Sequence, residues 1–360
     1  MLVSIVVNNH NYGPYLRAAI DSALAQTYEP MEVIVVDSGS TDNSREIIAE
    51  YGDRIVSILK DAEGQAATCN AGILRSRGDV VFLLDSDDVL YPDIAAHAAE
   101  VFSSDAEVAW VQFRLEVIDQ GGAPAGVVKP PGHLPRRSGD LRRYVLACPF
   151  DVTRMATSGN AFAAAALEHL LPIPETVYRP AGVDWYLCPL AALFGRVVFL
   201  DTIGGGYRLH GANSNWYERP CQVVDLVGIR RDLELMTATA AYIHTFARQA
   251  GLQPPREITS VCYVANRLLS LKLDPASHPI SGDTLWRLLV LGALASLRRF
   301  DVHWCMRLMF MGWFALVALA PRSLVQVLAE FFLFPNKRGV LNPLLARLHT
   351  PSPVTATLRR

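Results

Sequence analysis

No glycine-rich phosphate loop is present: Gly-x-Gly-x-x-Gly does not follow the first apolar run, and Gly-x-x-x-x-Gly-Lys occurs nowhere. Those absences argue against the common glycine-cradled dinucleotide and P-loop sites. Cysteine is sparse and unpaired in sequence. The six residues Cys69, Cys148, Cys188, Cys221, Cys262 and Cys305 form no Cys-x-x-Cys, which excludes a zinc ribbon and reads as reduced thiols in a cytosolic setting. Charge of one sign is lacking too. With 33 basic against 35 acidic residues and a net charge of −2, nothing calls for nucleic acid as a partner. The first nine residues lack the basic stretch that opens a signal peptide and go straight into a strand pattern. No Ser/His/Asp or Cys/His nucleophile set and no internal repeat are visible.

What is plentiful is apolar side chain, 51% of the 360 residues, with a mean hydropathy of +0.21. That length suits one large or two ordinary domains. The apolar excess is uneven and collects after residue 284.

The chain is organised around Asp79 to Asp88. Val80–Leu84 reads as a buried strand, and it ends in three carboxylates, Asp85, Asp87 and Asp88. Ligands of open parallel sheets bind beyond the carboxyl ends of strands. An Asp-x-Asp there offers hard oxygen ligands to a divalent cation that also holds phosphate; the plainer alternative is an acidic turn.

The residues before it build a repeating pattern. Leu2–Val7, Glu32–Val36 and Arg54–Lys60 read as strands. Helices are expected from Gly13-Pro14, through Glu46–Glu50, over Gly64–Ser76 and from Pro92. The result is β-α-β-α-β-α-β-α, with crossovers long enough for parallel pairing. Polar residues gather at Asn8–Asn11, Asp37–Ser40 and Asp85–Asp88, at strand ends and not at strand starts.

These blocks resemble family 2 glycosyltransferases. The matching segments are Val3–Leu16, Asp21–Tyr28, Val35–Asp42, Gly64–Gly72 and Leu84–Asp88, in the family's order and spacing, dense over about the first 100 residues. The resemblance implies an α/β, Rossmann-like GT-A domain, placed over residues 1–215, followed by a mostly α-helical region over 216–360. It implies an inverting transferase using a nucleotide-diphosphate sugar donor, a divalent metal (Mg or Mn) and a saccharide or lipid-linked acceptor. By position, Asn8, His10, Asp37 and Ser38 would surround base and ribose, and Asn70 would face the nucleotide. Asp85 and Asp87 would serve metal and ribose. Ser38 stands where an Asp is common, and Cys69 where an Arg often precedes the Asn.

Further along, Glu107–Val117 reads as a strand and Gly121–Gly139 as a mobile loop. Arg136, Arg137, Arg142 and Arg143 could meet phosphate or form a solvated basic face. Ser158-Gly-Asn160 precedes a short element of small residues. Asp184 begins a helix patterned by Leu187, Leu190, Ala191 and Phe194, which taken alone suits an N-cap. The resemblance instead makes it the general base, although Val183 replaces the family's Glu. Gly204–Ser214 resembles the family's closing element, with Arg208 and His210 approaching diphosphate or metal and the glycines letting a loop close.

From about Tyr217 the pattern is helical, in Val223–Ala247, Ile258–Leu273, Leu285–Leu297, Leu308–Ala320 and Leu324–Phe334. Each apolar run falls short of the roughly 20 residues that span a bilayer core of about 30 Å. Arginines flank these runs, with Trp286, Trp304 and Trp313 among them. Buried helices, interfacial helices on the inner leaflet and true spans all stay open. Residues 350–360 read as a loose tail. Two rival functions also stay open: a degenerate nucleotide-sugar-binding module and a sugar-phosphate nucleotidyltransferase.

Overall fold

The computed structural model describes residues 1–131, 134, 136–179, 181–211, 213 and 223–339. In chain order the elements of the first half are β1 (Val3–Asn9), α1 (Gly13–Leu24), β2 (Met31–Ser38), α2 (Ser44–Glu50), β3 (Val56–Lys60), α3 (Gln65–Arg75), β4 (Val80–Asp85), β5 (Val89–Leu90), α4 (Ile94–Ser104), β6 (Val108–Ile118) and β7 (Pro124–Lys129). Then follow α5 (Arg142–Ala147), β8 (Asn160–Ala163), α6 (Ala164–Glu168), α7 (Val183–Phe194) and β9 (Arg196–Arg208). The remaining helices are α8 (Leu226–Gln249), α9 (Val261–Leu273), α10 (Leu285–Arg298), α11 (Trp304–Leu319) and α12 (Arg322–Leu333).

The chain divides into two compact units. The first comprises Met1–Gly132, Arg137–Leu141 and Arg154–His210; the second comprises His133–Arg136, Arg142–Thr153 and Gly211–Arg360. The expected boundary at residues 215–216, Cys221 and the expected tail at 350–360 lie outside the described residues.

The first unit is one nine-stranded sheet in the order β3-β2-β1-β4-β8-β6-β9-β5, with β7 on β6. β3, β2, β1 and β4 are parallel, as the crossover lengths require. β8 runs antiparallel between β4 and β6. Val3, Ile5 and Val7 of β1 alternate onto one face, where they bury against Leu16, Ile20 and Ala23 of α1. Full burial of such a side chain stabilises by roughly 1.5–3 kcal/mol. On the opposite face α3 closes on β1 at Gly72, where an added Cβ would lie 2.2 Å from Val6 Cγ1. The parallel register sets Asn8 beside Asp85 and Asn9 beside Asp37, so the polar strand ends form one rim.

Two loop expectations are corrected. Residues 124–129 within the expected mobile loop form edge strand β7, opening with Pro124, a residue tolerated at the first position of an edge strand. Gly204–Gly206 are not a closing loop but lie within β9, near its C-terminal end. A Cβ at Gly204 would sit 2.5 Å from the Phe113 ring, and one at Gly205 would sit 2.5 Å from Val89 O. These glycines permit close packing and do not provide mobility. The small residues after Asn160 form strand β8 and then helix α6.

The second unit is helical. α9, buried along most of its length, packs against α8, α10, α11 and α12. Asp225 caps α8 and Thr284 caps α10, each accepting a first-turn N–H. No described helix is long and apolar enough to cross a membrane. Among the described residues, Cys69, Cys148, Cys188, Cys262 and Cys305 form no disulfide.

Candidate active site

β4 ends where the rim is most acidic. Asp85 Oδ1 accepts the Asn8 side-chain amide and the Gln65 side-chain amide, both at 2.9 Å. Its own N–H donates to Ser158 Oγ at 3.1 Å. Loss of water around the carboxyl, and then the charge of Asp87, push Asp85 up to about 7 against those two amide bonds. The charge of Asp184 acts in the same direction, so Asp184 shares this electrostatic environment although it is 99 residues away in sequence.

Asp87 meets His210, whose Nε2 lies 2.9 Å from Oδ2. The imidazole stacks on Tyr15 with 5.1 Å between ring centroids and meets Tyr12 edge-on at 5.4 Å. Burial, then Asp87, Asp85 and Asp88, raise the Tyr12 phenol above its ordinary range. Asp88 is buried and serves as a latch. It accepts the Ser158 hydroxyl at 2.6 Å and the Arg208 N–H at 2.8 Å, tying the end of β4 to the end of β9. Burial and its two neighbouring acids raise its carboxyl well above the carboxylate range. The Arg208 guanidinium donates to the carbonyls of Asp87, Asp119 and Gln120 and lies 5.1 Å from the Tyr15 ring.

Asp184 stands in the first turn of α7. The N-cap is Gly182, at φ +110°, a left-handed conformation that glycine adopts without steric cost. The Asp184 carboxylate makes no capping bond; Oδ2 accepts Arg154 Nε at 3.2 Å. The Arg154 guanidinium lies over the Trp185 ring, 3.2 Å from its centroid. Gln65 bridges the two acidic centres. While its Nε2 holds Asp85, its Oε1 accepts the Gly182 N–H at 3.0 Å.

Of the other expected site residues, Asn8, His10, Asp37 and Ser38 lie on the same rim with polar atoms engaged, while Asn70 sits within α3. Asn8 also donates to Leu84 O at 3.1 Å. His10 Nδ1 lies 2.6 Å from Ser38 O. Asp37 is fully buried; burial opposes its charge, but Ser40, Arg45 and Asn9 outweigh it and hold the carboxyl below its usual range. The Ser38 hydroxyl accepts the N–H groups of Glu63 and Gly64. Asn70 is buried, donating to Ile173 O and Glu175 and accepting the Ile173 N–H, so it anchors the 173–175 segment. Cys69 is fully buried beside it, and its thiol is pushed up by that burial.

The model of the family described as Glycosyl transferase family 2 matches residues 4–144. An uncharacterized glycosyltransferase of Nostoc is 34% identical over 219 residues, which cover 60% of this chain and 67% of that protein. The chain belongs to glycosyltransferase family 2. A Rickettsia prowazekii relative, also an uncharacterized glycosyltransferase, is 36% identical over 146 residues, so the chain spans 46% of that protein. Among solved structures, Staphylococcus aureus TarS 1–349 in complex with UDP is 16% identical over 87% of this chain and 90% of that one, with a TM-score of 0.49. The sheet of this glycosyltransferase is that of the GT-A fold, with its helical region following.

The family implies a divalent cation, and the donors suit one. Asp85 and Asp88 are both driven toward protonation by burial and then by the charge of Asp87, while the Arg208 guanidinium bonds to carbonyls. This crowded acidity gains most from a hard cation. No three His, Cys, Asp or Glu side chains already converge on one point among the described residues.

Gln65, Arg154 and Tyr15 carry no role in the sequence analysis. Gln65 and Tyr15 lie inside the matching blocks, where only the neighbouring residues drew attention. Arg154 has no local signal, since its role comes from meeting Asp184 across 30 residues.

Proposed function

We propose that this glycosyltransferase moves a sugar from a nucleotide-diphosphate donor to an acceptor hydroxyl with inversion, in a single displacement assisted by Mg or Mn. Asp184 takes the proton from the attacking hydroxyl. Asp87 and Asp85 would hold the cation, with His210 fixing Asp87; when bound, the cation offsets charge growing on the leaving diphosphate. Asn8, His10, Asp37 and Ser38 shape the base and ribose end. Arg208 and Asp88 keep the end of β9 against the acidic turn. A saccharide or lipid-linked acceptor enters on the Asp184 side. A lipid-linked acceptor would bring the enzyme to the inner face of a membrane as a peripheral protein.

The observation that carries this reading is the link from Asp85 through Gln65 to Gly182, two residues before Asp184. It holds the proposed base and the proposed phosphate-side acid in one frame, as in-line transfer needs. The test is transfer from a panel of nucleotide sugars with and without Mn. Asp184→Asn should lower kcat by roughly 10²–10⁴ while donor binding persists. Full transfer by that variant would remove Asp184 from the role of base.

A further inference from the structure

We infer that α10, α11 and α12 form a surface that docks on an anionic lipid bilayer. This deepens the peripheral-membrane part of the reading above and is independent of the transfer chemistry.

Each of these helices is apolar on two faces, where a surface helix of a soluble protein needs one. The inner face of α10 buries Leu288, Leu291 and Ala295. Its outer face carries Trp286, Val290, Leu294 and Leu297, spaced four, four and three residues apart, all exposed among the described residues. α11 packs on α10 and repeats the arrangement, burying Phe314 and Val317 while exposing Trp304, Leu308, Leu316 and Leu319. α12 packs on α11 and exposes Leu324, Val327 and Phe331. Scattered exposed leucines need no explanation, but outward stripes on three neighbouring helices do.

Charge decides the occupant. From Leu285 to Leu333, the span of the three helices, there are five arginines (Arg287, Arg298, Arg299, Arg307 and Arg322) and two acids, Asp301 and Glu330. Asp301 is buried and paired with Arg299, and Glu330 is paired with Lys337. Arg287, Arg298 and Arg322 are exposed at helix ends, beside the apolar stripes. Arg287 also reaches Glu257 at 3.2 Å, which leaves its stem along the surface. Apolar stripes edged mostly by cations, with the nearby acids Glu257 and Glu330 each paired to a base, suit acyl chains beneath phosphate headgroups. Trp286, 74% exposed, and Trp304, 61% exposed, stand in the first turns of α10 and α11; Trp is the side chain that favours the boundary between headgroup and acyl chain. The helices have 14, 16 and 12 residues, or about 18–24 Å at 1.5 Å per residue, too short to span. They are suited to lying in the interface plane.

The test is co-sedimentation of the full chain with phosphatidylcholine vesicles and with vesicles also containing phosphatidylglycerol. The expected result is binding to the anionic vesicles that weakens with salt, with tryptophan fluorescence quenched by brominated acyl chains. The double variant Trp286→Gln, Leu294→Gln should weaken binding at least about ten-fold, since it removes two large apolar side chains from the contact. Circular dichroism checks that the variant stays folded, and the quenching of the unaltered chain stands whether or not it does. Absence of binding to both vesicle types overturns the inference. So does a concentration-dependent dimer that buries Trp286, because the occupant would then be a second copy. Donor hydrolysis in solution tests the transferase reading separately.

Discussion

Gln65 and Asp85 are joined by a 2.9 Å hydrogen bond, and the other end of the same Gln65 amide accepts the Gly182 N–H at 3.0 Å. One neutral side chain thereby spans from the acidic end of β4 to the start of α7. Gln65→Leu keeps the size but removes both bonds. It should cost about 1–3 kcal/mol of stability, because the part-buried Asp85 carboxylate loses one of its two amide donors and the Gly182 N–H loses its acceptor. If the bridge sets the site's geometry, kcat should fall about ten-fold or more with donor KM nearly unchanged. Urea melts and steady-state rates check the two parts separately.

His210 is held between aromatic rings, and Tyr15 supplies the stacked one. Tyr15→Phe should leave the imidazole in place, whereas Tyr15→Ala should free it. The expected readout is thermal stabilisation by Mn together with a nucleoside diphosphate, nearly unchanged in the first variant and reduced in the second. Equal loss in both would show that the phenol hydroxyl matters and the stacking does not.

Asp85, raised to about 7, gives a pH dependence with a definite sign. An unfolded Asp titrates near pH 3.9. Between roughly pH 4 and 7 the folded chain therefore binds more protons at this carboxyl, so stability from this group falls as pH rises through that window. Without divalent cation, melting temperature should drop from pH 5.5 to 7.5, by an amount on the order of 1–2 kcal/mol in free energy. Asp85→Asn should flatten the slope. Added Mn should stabilise more at pH 7.5 than at pH 5.5, since cation and proton compete for the same carboxylate.

Asp283 behaves in the opposite way in the helical unit. It is buried between Arg267, at 2.9 Å from Nε, and His278, at 3.1 Å. Burial opposes its charge, but Arg267 and His278 hold it below the carboxylate range. Its stabilising contribution is present above the unfolded pKa and is lost as pH falls through the lower folded value. Asp283→Asn leaves Arg267 buried with only the partly exposed Glu257 opposite, and should cost about 3–5 kcal/mol. Thermal melts at pH 7 check this; a change under 1 kcal/mol would mean that water replaces the lost partner.

Val80–Leu84 and the acids after it were readable because a buried parallel strand is a continuous apolar run and its end is local. The same holds for the alternation of strands and helices through residue 104, where crossover length alone selects parallel pairing. The glycines of Gly204–Gly206 were misleading for a physical reason. Glycine serves both mobile loops and tight strand packing, and only the Phe113 ring and Val89 carbonyl decide between them. Asp184 was similarly double-valued, since an acid at a helix start suits a cap, and the left-handed Gly182 settles that it is not one.

By itself the sequence determined the order of the four parallel strands and their helices, the acidic strand end and the family, because those depend on neighbours a few residues apart. Tertiary structure alone decided what the polar groups do. It pairs Gln65 with Gly182, Arg154 with Asp184, His210 with Asp87 and Asn70 with Ile173. Those partners lie from 30 to 123 residues apart, and no local periodicity encodes which distant donor will satisfy a buried acceptor.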